Sequence, residues 1–368
     1  MRSVTVEWHG MNVEAVDPPR IADWSPDLLA STARRTEQAA AAVVRAGDRA
    51  TGHLEAAARL LLRAEGLASS AIEGLRASAA DVAIAEATDT SDTTAAWVAD
   101  NLAVVEEALR EPRPLDGSLL KAWHSRLMRN GTTVEDHHIG EYRDELGWVG
   151  GANPKLATHV AAPHDLIEPT MNDLFAFALR DDVDPVTQAG IVHAHFETIH
   201  PFADGNGRLG RVLVGRILKL RLGVSVPPPV SLQMARDAGG YQSGLALYRQ
   251  DLTDQWITWF ADAVTASAHS ASDVLAAVDD LQGRWRKAIA DLRKDSATHT
   301  LLEMLPAHPV VSTAIAAELT GVSRRAAESA VKQLEDRNIL VAAGVISTGR
   351  GRPERLWIAG DLLALLGR

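Results

Sequence analysis

Apolar residues recur at helical spacing along most of the chain, at i, i+3 or i+4 and i+7, and this pattern predicts helices over Leu54–Glu65, Thr94–Leu109 and Ser118–Met128. Val192, Phe196 and Ile199 form one such stripe, so a buried helix is expected to end near His200, where Pro201 stops it. Leu209, Leu213, Ile217 and Leu220 form the next. Strict alternation of period two is hard to find before residue 300, and the first residues, up to Pro18-Pro19, read as irregular. Turn signals fall at Glu111–Gly117, Asn130-Gly131 and Gly150–Pro154, with a proline run at Pro227–Pro229. The expectation is a mainly α chain with one small hairpin between about Gly147 and Val160.

The last stretch changes character. Ser312 is placed to cap a helix carrying Ile315 and Leu319. After Gly321, Ser323 is placed to cap a second with Ala327, Val331 and Leu334 on one face. Short β-prone pieces follow at Ile339–Val341, Val345-Ile346 and Leu356–Ile358, with a Gly/Arg tip at Thr348–Pro353. Helix, turn, helix and a hairpin with a basic tip is the winged-helix pattern. Four parts result: a helical region over 1–110, a core over 111–265, a connecting helix over 266–297 and the winged helix over 298–368.

Composition narrows the chemistry. The chain has 368 residues, with 46% hydrophobic and 23% charged, which suits packed globular domains and excludes wholesale disorder. It has no cysteine, so thiol nucleophiles, disulfides and Cys-type zinc sites are excluded. Lys and Arg number 37 against 48 Asp and Glu, a net charge of −11, which disfavours non-specific nucleic-acid binding by the whole chain. No apolar run reaches membrane-spanning length and Met1–Gly10 lacks a signal-peptide core, so a cytoplasmic location with no membrane partner is expected.

The charge is not evenly spread. Gly205–Arg236 holds five Arg and one Lys and no acid, immediately after His200-Pro-Phe-Ala-Asp-Gly-Asn-Gly-Arg-Leu-Gly-Arg211. A Gly-Asn-Gly turn opening a helix presents unpaired backbone N–H groups, an anion site. Arg208 and Arg211, three residues apart, share a face of that helix. Asp204 offers a hard oxygen for Mg²⁺, and His200 can exchange a proton near neutrality. Gly205, Gly207 and Gly210 also satisfy the dinucleotide fingerprint, but a helix precedes them and no acid follows before Asp237, so that reading fails its context. His193 and His195 point to different helix faces and read as buried histidines rather than metal ligands.

His200–Arg211 resembles the Fic family motif H-P-F-x-[D/E]-G-N-G-R-x-x-R, with all nine specified positions present. Phe196-Glu197 and Ile199 before it, and Gly140-Glu141-Tyr142-Arg143 with Trp148–Gly151 upstream, resemble the approach to that motif and its flap hairpin. The stretch Val160–His164 departs from the Pro-rich habit of many relatives there. The resemblance, over roughly residues 50–265, implies a Fic-type all-helical core with a β-hairpin flap. It implies a nucleotidyltransferase that moves AMP from Mg·ATP to a Ser, Thr or Tyr hydroxyl of a target protein or of itself. His200 would be the base and Asp204 the Mg²⁺ ligand. Gly205, Asn206 and Gly207 would cradle phosphates, with Arg208 on the β-phosphate and Arg211 on the γ-phosphate. Phe202 would anchor the loop in the core. Ser69-Ser-Ala-Ile-Glu73-Gly74 matches the family's inhibitory motif [S/T]-x-x-x-E-[G/N], which implies that Glu73, one turn from Ser69, pairs with Arg211 in competition with ATP.

Arg324, Arg325, Arg350 and Arg352 are the candidate DNA-phosphate contacts of the winged helix. Its other reading is a protein-binding or dimerisation wing, since His299–Arg368 has eight basic and seven acidic residues. The alternative functions are a DNA-binding regulator whose Fic core senses nucleotide, and a Fic enzyme that removes AMP or uses another nucleotide donor.

Overall fold

The computed structural model describes residues 1–51, 54–88, 93–131, 133–346 and 354–367. The chain opens with an antiparallel hairpin, β1 (Arg2–Trp8) and β2 (Met11–Asp17), in unbroken register from Arg2 opposite Asp17 to Trp8 opposite Met11. This corrects the expectation of an irregular start. Val4, Val6 and Trp8 do alternate, but the turn is His9-Gly10 rather than the Asn-Gly that announces a hairpin; both residues have positive φ. His9, at φ +47°, adopts a backbone that a non-glycine residue rarely takes.

The helices follow: α1 (Ala30–Arg49), α2 (Glu55–Ile72), α3 (Ala79–Thr88), α4 (Thr94–Arg110) and α5 (Gly117–Leu127). A short hairpin, β3 (Trp148–Val149) and β4 (His159–Val160), pairs where the sequence predicts one. Next come α6 (His164–Ala178), α7 (Pro185–Ile199), α8 (Asn206–Leu222), α9 (Val230–Arg236), α10 (Ala238–Arg249) and α11 (Thr253–Ala288). The C-terminal part holds α12 (Ala297–Met304), β5 (Val310–Ser312), α13 (Thr313–Thr320), α14 (Arg324–Glu335), β6 (Val341–Ile346), β7 (Glu354–Ile358) and α15 (Gly360–Leu363). The fold is mainly helical with small sheets.

The core is organised around α7. Every residue from Val186 to Ile199 is buried, and the helix packs on α8, α6, α11 and α1. Apolar residues occur on all its faces, which suits a helix surrounded by others, and buried polar ones such as Gln188, His193 and His195 find partners on neighbouring elements. Asp184 caps it by accepting from the Thr187 N–H at 2.8 Å, with Pro185 at the first helical position. Gly190 lets α11 close in: a Cβ there would meet Ile257 and Phe260 at 2.9 Å, and its carbonyl accepts from Trp256 Nε1 at 2.9 Å.

In the C-terminal part Ser312 caps α13 and Ser323 caps α14, and the three strands lie in the order β5–β7–β6. Arg324 pairs with Glu354 at 3.0 Å, and Arg355 with Glu335 at 3.0 Å, so both guanidinium charges are offset by local carboxylates. Arg325 is exposed on α14. The tip bearing Arg350 and Arg352 lies outside the described residues. Among the described residues no helix is long and apolar enough to cross a membrane.

Candidate functional site

The loop between α7 and α8 is held by backbone geometry and by the side chains of Phe202, Asn206, His124 and Arg143. His200 closes α7 in the left-handed conformation, φ +52°, while its N–H still donates to the Phe196 carbonyl at 2.8 Å. This sends the chain sharply away from the helix axis and leaves the imidazole at the rim, 18% exposed. Gly205, at φ +81°, is the N-cap of α8 and offers the conformation only glycine takes without strain. A Cβ there would also meet Leu127 Cδ2 at 3.1 Å. Between them Asn206 folds back: its Oδ1 accepts from Phe202 N–H at 2.9 Å and its Nδ2 donates to the Phe202 carbonyl at 2.8 Å. The Asn206 amide therefore shapes the loop, which leaves its backbone N–H to line the α8 terminus. Phe202 is fully buried and stacks on His124, with centroids 4.0 Å apart and planes 6° from parallel.

His124, which carries no motif, and Arg143, the last residue of the Gly140–Arg143 stretch, are the positioning residues of this loop. Gly140 N–H donates to His124 Nδ1 at 2.8 Å, so Nε2 carries the proton and donates to the Asp204 carbonyl at 3.1 Å. Burial pushes this imidazole down to about 4, so it stays neutral. Arg143 is buried and donates to the carbonyls of His200 (2.8 Å), Glu145 (2.6 Å), Ile199 (3.3 Å) and Ala162, while its N–H donates to the Pro201 carbonyl at 2.9 Å. It ties the base of the β3–β4 hairpin to the loop. Arg143→Met would leave those acceptors without a donor. Each buried, unpaired polar group costs about 1–3 kcal/mol, so stability should fall by at least about 3 kcal/mol in urea unfolding. An unfolding midpoint equal to the wild type would refute the tie.

The charged side chains converge on the start of α8. Asp204 accepts from the Thr133 hydroxyl and from Gly205 N–H at 2.5 Å, with Arg208 at 3.6 Å. Burial favours its neutral form, but Thr133, Arg208 and the Gly205 amide outweigh it and hold the carboxyl below its usual range. Arg208 is buried beside Met128 and Asp204, and its Nε has no hydrogen-bond partner among the described residues. Arg211 is fully engaged. Its Nε donates to Ser69 Oγ at 2.9 Å, and its Nη2 donates to the Ser69 carbonyl at 2.8 Å and to Glu73 Oε1 at 2.7 Å. Burial works against its charge, but the Glu73 carboxylate more than restores it, so its pKa lies above normal.

Glu73 sits at the C-cap of α2, where the helix dipole disfavours a carboxylate. The opposing dipole end, the start of α8, receives it. A Cβ added to Gly207 would lie 2.1 Å from Glu73 Oε1, so the carboxylate lies against the first turn of α8 beside the Arg211 guanidinium. The end of α2 is oriented by Asn101, whose Nδ2 donates to Ser70 Oγ and to the Gly66 carbonyl, both at 3.1 Å. The structure thus brings Ser69, Glu73, Gly207 and Arg211 together although 134 or more residues separate the two sequence segments.

Among the described residues His200 Nδ1 is buried without a hydrogen-bond partner, and the Glu197 carboxylate oxygen Oε2 is 3.8 Å away. Burial first, then the Arg143 charge, pushes His200 down to about 4, so it is neutral at pH 7. Glu197 is itself buried and pushed up to about 7 by burial and by Glu73. His193 and His195 bond separate tyrosines, Tyr241 at 2.8 Å and Tyr248 at 3.0 Å, in keeping with their reading as buried structural histidines.

Residues 114–218 match the Fic/DOC family model. Over 120 residues the chain is 32% identical to "Protein adenylyltransferase fic-1" of Caenorhabditis briggsae, covering 33% of this chain and 22% of that protein. Over 110 residues it is 33% identical to "Protein adenylyltransferase Fic" of Aedes aegypti, covering 30% and 20%. The chain therefore spans about a fifth of the length of these curated relatives. Among solved structures, a Fic family protein from Desulfovibrio desulfuricans aligns over 92% of this chain and 99% of its own, with TM-score 0.56 and 21% identity. A Fic domain containing signaling protein from Bacteroides thetaiotaomicron aligns over 66% and 98%, with TM-score 0.53 and 16% identity. At those identities the likeness is one of fold.

Proposed function

From the Fic/DOC family domain that this chain carries over residues 114–218, we propose that it is a protein adenylyltransferase, moving AMP from Mg·ATP to a Ser, Thr or Tyr hydroxyl of a protein and restrained by Glu73. One observation carries the reading: an anion position at the start of α8, flanked by Arg208 and Arg211, adjoins an uncharged, rim-exposed His200. A helix start with free N–H groups and two guanidinium groups suits a polyphosphate chain. A neutral imidazole beside it suits deprotonation of an incoming hydroxyl.

In the reaction His200 Nε2 takes the hydroxyl proton, the hydroxyl oxygen forms a bond to the α-phosphorus, and the bond from that phosphorus to the pyrophosphate oxygen breaks. Pyrophosphate leaves. Such transfer rests on positioning and charge neutralisation, which the α8 amides, Arg208 and Arg211 supply. Asp204 fits a Mg²⁺ ligand: it is a carboxylate kept ionised, 36% exposed and held in place by Thr133, and Mg²⁺ ordinarily joins one or two carboxylates to substrate phosphates. Mg²⁺ when bound would neutralise phosphate charge. Labelling with α-labelled ATP should mark protein and γ-labelled ATP should not; the reverse pattern would make the protein a kinase and overturn the proposal.

The acid limb is a second check. A free imidazole loses half its base form at pH 6.5, whereas His200, pushed down to about 4, keeps it across neutrality. The value of kcat/KM should therefore stay level down to about pH 5. Glu197 titrates near 7 on its own account, so the profile is best taken in Glu197→Gln as well. A fall at pH 6.5 persisting in that variant would contradict the depressed base.

The C-terminal unit supports a smaller part of the proposal. Its two capped helices and three strands fit a winged helix, with Arg325 as the exposed basic residue on α14. DNA, a protein or a second copy of the chain are the partners such a unit can take. Arg324 is offset by Glu354, which weakens the case for phosphate contact there.

A further inference from the structure

We propose that His137, His138 and Asp144 form a binding site for a divalent transition-metal ion such as Zn²⁺, separate from the His200–Arg211 loop. The two histidines are neighbours in a single 3₁₀ turn, Asp136–His138, with ring centroids 3.9 Å apart. Asp144 arrives from beyond the next turn, and its Oδ1 lies 3.0 Å from His138 Nε2. One ligand atom from each of the three lies within 4.8 Å of the others, and they are the only such group among the described residues.

The donor set is selective. Two imidazoles and one carboxylate suit Zn²⁺, Co²⁺ or Ni²⁺, whereas Mg²⁺ takes oxygen ligands. Ligand bonds of about 2.0–2.2 Å require the three donors to draw together around the ion, which rotation of exposed side chains allows. His137 and Asp144 side chains are 59% and 70% exposed, so an ion has access. A further carboxylate stands behind the site. Glu135 Oε2 lies 3.4 Å from His137 Nδ1, which leaves Nε2 for the metal. An acid on the far nitrogen of a ligating imidazole sets its orientation and raises its basicity.

The place of the site gives it a consequence. The segment is already pinned on both sides: the Thr133 hydroxyl bonds Asp204, and the Gly140 amide bonds His124. Arg143, next to Asp144, holds the His200 carbonyl. An ion joining the 136–138 turn to Asp144 would cross-brace the stretch that carries Thr133 at one end and Arg143 at the other.

The test uses the full untagged chain, stripped with a chelator and titrated with Co²⁺ in excess Mg²⁺, followed by visible absorption and calorimetry. One saturable equivalent with a d–d band is expected. His138→Gln and Asp144→Asn should lose at least about tenfold in affinity, and Glu135→Gln about tenfold through the second carboxylate. His9→Gln, an exposed histidine at the β1–β2 turn, should titrate as wild type. Far-UV circular dichroism and thermal unfolding without metal should match for Asp144→Asn and Glu135→Gln, whose side chains are 70% and 82% exposed, and are recorded for His138→Gln as well, whose side chain is 13% exposed. Absence of saturable Co²⁺ uptake, or equal affinity in wild type, His138→Gln and Asp144→Asn, would overturn the site.

Discussion

Glu73→Gly is expected to raise self-labelling or target labelling by about tenfold or more. The carboxylate holds Arg211 at 2.7 Å and lies over Gly207, where a Cβ would come within 2.1 Å of it. Any anion that needs the same guanidinium and the space over Gly207 must displace it. A hydrogen bond to a charged group contributes about 1.5–3 kcal/mol, and about 1.4 kcal/mol is tenfold in an equilibrium constant. Glu73 is 36% exposed, so solvent screening places the effect toward the lower end of that range. Arg211 keeps two donors on Ser69 after the change and should stay in position. Radiolabelled incorporation at matched protein concentration measures the effect. Unchanged or reduced incorporation, with ATP binding intact, would end the restraint hypothesis while leaving the transferase reading standing.

The larger effect is expected from His200→Ala. Loss of a positioned general base removes about 10²–10⁴ in rate. ATP affinity should change little, because the α8 amides, Arg208 and Arg211 are untouched. The substitution also removes a side chain from a left-handed backbone position, which alanine tolerates poorly, so thermal unfolding should be recorded alongside. His200→Asn keeps a residue that accepts this conformation and should be equally inactive. Wild-type transfer by His200→Asn would refute the base assignment. Made in one chain, Glu73→Gly and His200→Ala should show no activation, since the first substitution acts only on a competent site.

Much of this site can be read from the linear sequence because its parts are local. Helix stop, Gly turn, helix start and the two arginines lie within twelve consecutive residues, and the spacing of Arg208 and Arg211 places both on one helical face. The caps Ser312 and Ser323 are equally local and stand where the pattern puts them. The β1–β2 hairpin was missed for a related reason: its alternation is short, and its His-Gly turn depends on a positive φ at a histidine. Asn206 illustrates a finer gap. Its place in the loop is evident from sequence, but only the folded chain reveals that its amide closes on Phe202.

The roles of His124 and Arg143 are not legible in sequence, because what they do depends on partners far along the chain or on carbonyls that any residue possesses; the 137–138–144 cluster is local, but its donors meet only once the Asp136–His138 turn is folded. His124 works through the backbone of Gly140 and Asp204, and Arg143 through the carbonyls of His200, Glu145 and Ala162. Sequence by itself determined the mainly helical class and singled out the 200–211 loop and the pairing partners to look for, since these follow from periodicity, charge and residue type. Tertiary structure alone decided that Glu73 rests on the start of α8, that His200 is neutral, and which carbonyls Arg143 holds. Those properties arise from burial and from side-chain contacts that include segments distant in sequence, Glu73 with Arg211 and Arg143 with His200, where local pattern has no reach.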